Sequence, residues 1–87
     1  MNVIAVESST LATIAYDRTH ELLQLEFNSR ALYQYFSVPV AIYEGLLQAS
    51  SKGNYFNQAI RGKFPYSRIS NGPAEAQEQE RAVTRRR

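Results

Sequence analysis

Apolar residues alternate with polar ones at period two through roughly the first forty positions, and recur at three and four residues after that. The first regime predicts four short strands, over 3–7, 11–17, 23–27 and 31–36. Ser8-Ser9 breaks the first strand. In the second, Ala12, Ile14 and Tyr16 share a face, and the polar turn Arg18-Thr19-His20 follows. Leu23, Leu25 and Phe27 oppose Gln24 and Glu26 in the third, which Asn28-Ser29-Arg30 links to the fourth. Short strands joined by tight turns predict an antiparallel meander rather than a parallel βαβ arrangement.

The period changes at Ser37-Val38-Pro39, where a serine precedes a proline placed at the first helical position. Pro39, Ile42, Tyr43, Leu46 and Leu47 then form the stripe of a helix packed on a sheet. Ser50-Ser51 caps a second helix, with Tyr55, Phe56, Ala59 and Ile60 on one face and Gly62 ending it. Residues 64–69 return as a short closing strand with Pro65 at its start. The predicted class is therefore α+β: an antiparallel meander with a helical insertion over 39–61 before the last strand. The folded unit is expected to span residues 1–70. From Asn71-Gly72-Pro73 onward, residues 71–87 have almost nothing apolar to bury and end in Arg85-Arg86-Arg87, so a flexible, partly basic tail is expected.

Composition narrows the function classes. At 87 residues the chain supports one core, with only about 60% of the unfolded surface buried. The absence of cysteine excludes a disulfide framework, a thiol nucleophile and a zinc ribbon. The single histidine, His20, falls in a predicted turn, where a solvated ring is the expectation. Gly45, Gly53, Gly62 and Gly72 are scattered and make no phosphate loop. These features predict no catalytic residue, no metal and no cofactor. The N-terminus lacks a basic segment followed by an apolar one, and no apolar run nears the ~18 residues of a membrane span. A cytoplasmic chain without membrane contact is expected. Its net charge of +2 permits attraction to phosphate without demanding it.

Two groups of residues could carry binding. Tyr33 and Tyr35 share one face of the fourth strand, with Leu32, Gln34 and Phe36 on the other. The rings either stack unpaired bases or pack beneath a helix, and alternation alone leaves open which face is core. Lys52, Arg61, Lys63 and Arg68 cluster around the second helix, with Arg61-Gly62-Lys63 at its end. Cations there complement the helix dipole, and if they face one way they also track phosphates, with Arg85 to Arg87 as an extension.

Taken in order, Ser8-Ser9, Tyr16-Asp17, Leu23-x-Leu25-x-Phe27, Tyr33-Gln34-Tyr35, Val38-Pro39, Leu47-x-Ala49-x-Ser51-x-Gly53-x-Tyr55-Phe56-Asn57 and Ile60-Arg61 resemble the KTSC domain over roughly residues 6–69. That family takes its name from the C-terminal region of some lysyl-tRNA synthetases and includes free-standing small bacterial proteins. The resemblance implies a strongly bent five-stranded sheet, a variant of the Sm-like barrel, and a non-catalytic role in RNA binding. A glycine is common in the family near Arg30, so the Asn28-Ser29-Arg30 turn departs from the pattern and adds a cation beside the tyrosine strand. The expected RNA-binding set is Arg30, Tyr33, Tyr35, Lys52, Arg61 and Lys63. The alternative is a protein-interaction or self-association module, a homo-oligomer or a complex with a protein partner, using a sheet edge or the aromatic face.

Overall fold

The computed structural model describes residues 1–70; the expected tail over 71–87 lies outside the described residues. Five strands, β1 (Asn2–Ala5), β2 (Leu11–Asp17), β3 (Leu22–Phe27), β4 (Leu32–Tyr35) and β5 (Tyr66–Ser70), form one antiparallel sheet in chain order. Between β4 and β5 run α1 (Val40–Gln48) and α2 (Lys52–Tyr55), the latter continuing into a π-helical turn over Phe56–Ile60. The α+β class and the two helices inserted before the last strand follow the sequence expectation. The barrel does not. Among the described residues β1 pairs only with β2 and β5 only with β4, so the sheet is open. The helices supply the cover that closure would otherwise provide: Leu46, Phe56 and Ile60 pack against Ile14, Leu23, Leu25 and Tyr35. Among the described residues no helix is long and apolar enough to cross a membrane.

Register explains the core. Tyr16, Leu23, Tyr35 and Tyr66 lie opposite one another across four strands, as do Ile14, Leu25, Tyr33 and Arg68. Ala12 was expected beside Ile14 and Tyr16. Instead a bulge between Leu11 and Thr13 makes Ala12 the extra residue, and Leu11 turns inward and is fully buried opposite Phe27. Burying leucine rather than alanine removes more apolar surface from water, at roughly 25 cal/mol per Å². The Ser8 hydroxyl holds the entry to β2 by accepting from the Thr10 and Leu11 backbone N–H groups at 3.0 and 3.2 Å.

The start of α1 also differs by a residue. Pro39 is the N-cap, in extended conformation with ψ 151°, and Ser37 adopts φ +61° and does not cap the helix. Tertiary bonds decide this: the Val38 N–H donates to the Glu21 carbonyl, and the Val38 carbonyl accepts from the Tyr16 hydroxyl. Val38 is thereby tied to the sheet, and a residue before proline is itself biased toward extended geometry. Ser51 caps α2 as expected, its hydroxyl accepting from the Asn54 N–H at 3.3 Å. The π-helical turn closes with the Arg61 N–H on the Phe56 carbonyl, and Gly62 at φ +74° ends the run.

Candidate functional site

The hairpin from β3 to β4, the strand β5 and the end of the π-helical turn enclose a groove of about 700 Å³. Its floor is aromatic because the register places alternate residues of three strands on the face toward the helix. Tyr35 lies centrally, its ring centroid 6.2 Å from Tyr33, 5.6 Å from Tyr66 and 5.8 Å from Phe56. Phe27 meets Tyr33 and Phe56 edge to face at 5.6 and 5.3 Å. These are the offset and T-shaped arrangements that ring quadrupoles favour. Burial, reinforced by Tyr33 and Tyr66, pushes the Tyr35 phenol up to about 12, so it is neutral at physiological pH.

Two guanidiniums border this floor. Arg68, opposite Tyr33 in the β4–β5 register, sets its Cζ 5.6 Å from the Tyr33 ring centroid. Arg61, just past the π-helical turn, reaches Asn57 Oδ1 from Nη1 at 3.5 Å. Among the described residues no Asp or Glu lines the groove. Among the described residues the ion pairs are Arg18 with Glu44 and His20 with Asp17, so neither groove arginine has a carboxylate partner there. A surface of π faces beside two cations that have no carboxylate partner among the described residues suits a ligand combining flat rings with negative charge.

Of the expected residues, Tyr33, Tyr35 and Arg61 line the groove. The tyrosine side of β4 is the core side: Tyr35 is 5% exposed, Tyr33 is half-buried, and Gln34 on the other side bonds to Gln24 at 3.2 Å. Lys52 does not line the groove and donates from Nζ to the Ala49 carbonyl at 2.9 Å. Lys63 is exposed in the turn after Gly62, outside the lining. Arg30 is exposed in its hairpin turn, and its neighbours Ser29 and Ala31 line the groove while Arg30 does not. Tyr66, which is 61% exposed, was missed as a site residue. Its period-two spacing from Arg68 in the closing strand was the signal available. His20 is exposed and caps its turn from Nδ1, 2.8 Å from Asp17 Oδ2. Among the described residues no cluster of His, Cys, Asp or Glu could hold a metal ion.

The KTSC domain family model matches residues 7–64. A lysine–tRNA ligase of Trichormus variabilis (strain ATCC 29413 / PCC 7937) is 42% identical over 64 residues, which are 74% of this chain and 11% of that protein. The chain thus spans about a ninth of the ligase it matches. An uncharacterized protein of Stutzerimonas stutzeri (strain A1501) is 40% identical over 70 residues, covering 79% of this chain and 99% of the other. The crystal structure of a KTSC domain protein from Yersinia pestis superposes with a TM-score of 0.77 at 33% identity, covering 79% of this chain and 97% of that one.

Proposed function

The chain belongs to the KTSC domain family, and we propose that it is a non-catalytic module that binds unpaired RNA through the groove between β5 and the π-helical turn. The observation that carries this reading is the convergence of Tyr33, Tyr35 and Tyr66 with Arg61 and Arg68 in one groove that no carboxylate lines among the described residues. Aromatic faces stack bases of any identity, and guanidiniums donate to phosphate oxygens. Similarity to a segment of lysine–tRNA ligases, proteins whose name includes an RNA substrate, supports the same class of ligand.

Binding of a labelled RNA pool at several salt concentrations tests the proposal. Affinity is expected to fall with salt by about 0.7 log unit per log unit for each single-strand phosphate neutralised. Replacing Arg61 and Arg68 together with Gln should weaken binding and flatten the slope by about 1.4, two phosphates' worth. Absence of binding at low salt by folded protein would refute RNA as the ligand. The outer edges of β1 and β5, unpaired among the described residues, would then return the reading to self-association.

A further inference from the structure

We infer that the groove is a pocket for one or two unpaired nucleotides, at an RNA end, bulge or loop, rather than a channel tracking an extended strand. This rests on the RNA reading and specifies the part of an RNA that the site takes. The rings differ sharply in what they offer. Phe56 and Tyr35 are 7% and 5% exposed and serve as floor. Tyr33 and Phe27 are half-buried, and the Arg68 guanidinium stands over the Tyr33 ring. Tyr66 alone among the five presents a broadly open ring, so there is stacking surface for about one base.

Charge is distributed the same way. Arg61 and Arg68 border the groove, whereas Arg18 is paired with Glu44, Lys52 bonds the Ala49 carbonyl, Arg30 and Lys63 are exposed in turns beside it, and none of these four lines it. The opposite face of the sheet carries Thr13, Gln24, Glu26 and Gln34, with Thr13 donating to Glu26 at 3.1 Å. Strand-tracking sites of roughly 4–16 nucleotides instead need a continuous cationic groove. A volume of about 700 Å³ falls within the roughly 300–1,000 Å³ typical of small-molecule sites. The base would lie on Tyr66 and its phosphate against Arg61 and Arg68. A base paired within a duplex cannot reach Tyr66 without leaving its stack.

The test is a length series of RNA, from a nucleoside monophosphate through two, four and eight nucleotides, beside a blunt duplex and a hairpin with an unpaired loop. The chain has six Tyr and no Trp, so tyrosine fluorescence quenching reports stacking directly, with anisotropy as a second readout. Affinity is expected to level off by two nucleotides, and the blunt duplex to bind at least about tenfold more weakly than the hairpin. Tyr66→Leu, at an exposed position, should keep the fold by circular dichroism and lose about tenfold in affinity, while Tyr66→Phe should retain it. A more than tenfold rise between two and eight nucleotides, or wild-type affinity in Tyr66→Leu, would overturn the pocket while leaving RNA binding intact. Binding of no RNA at any length would overturn both.

Discussion

Tyr35 and Arg30 illustrate how much a single residue's neighbours reveal and how much they withhold. Alternation in Tyr33-Gln34-Tyr35 fixed that both rings share a side, but Leu32 and Phe36 made the opposite side an equal claimant to the core. The packing of Phe56 on Tyr35 at 5.8 Å settles it, a contact between residues far apart in the chain that no local pattern encodes. Tyr66 was overlooked because its importance comes from lying opposite Tyr35 in the register, which is likewise non-local. At Arg30 the sequence was more informative. The three-residue loop between Phe27 and Ala31 closes with the Arg30 N–H on the Phe27 carbonyl and the Phe27 N–H on the Ala31 carbonyl. This geometry places its last residue in the left-handed region, and Arg30 has φ +78°. That is where glycine belongs. Arg30→Gly is expected to stabilise the fold by about 0.5–1 kcal/mol, the relief of left-handed strain offset partly by glycine's greater chain entropy. Urea unfolding measures it, and a lower midpoint would refute the argument.

At the scale of elements, the strands were legible where alternation is regular and illegible where it breaks. Residues 11–17 form β2 as predicted, yet the bulge at Ala12 redirects Leu11 to the core, because register against Phe27 outweighs strict alternation. The helix pair was legible from its period and from Ser51, but its π-helical turn carries no distinguishing residue. The contact joining the helices was also hidden. The Tyr55 ring lies over Gly45, and its hydroxyl donates to the Ile42 carbonyl at 3.1 Å. A Cβ at position 45 would run into the Tyr55 hydroxyl oxygen, the nearest atom, with the ring carbon behind it at 2.8 Å. Gly45→Ala should therefore destabilise by about 1–3 kcal/mol, although alanine in an uncrowded helix gains about 1 kcal/mol over glycine. In a double-mutant cycle, Tyr55→Phe should recover part of that cost by removing the closest atom. Additive effects would show that the two side chains do not meet.

For the whole molecule, the meander of the first four strands and the presence of a closing fifth were readable, and the place of β5 beside β4 and the openness of the sheet were not: closure depends on whether β1 and β5 meet, which turns on how much of the apolar face the helices cover. With one core, ionisation of any buried group is felt by the entire fold. Asp17 contributes on the acid side. The His20 side chain bonds its carboxylate and holds its pKa below the usual value, so its contribution is present above the unfolded pKa and is lost as pH falls through the lower folded one. The pair sits where β2 ends, His20 exposed and Asp17 half-buried, and solvent screening keeps that limb shallow. The alkaline side rests on Tyr16 and Tyr35. Burial is the main cause raising both phenols, Tyr35 to about 12. An unfolded tyrosine ionises near pH ~10, so above that point the unfolded chain loses protons first and stability falls with rising pH. For Tyr35 the loss runs from about pH 10 to about 12. The melting temperature followed from acid through neutral to alkaline pH, with tyrosinate absorbance recorded on the alkaline side, should show this limb as the steeper one. Tyr35→Phe keeps the ring and removes the titrating proton, so its melting temperature should decline less across the same interval. An alkaline limb identical to that of the wild type would show that Tyr35 ionises no differently in the folded and unfolded chains.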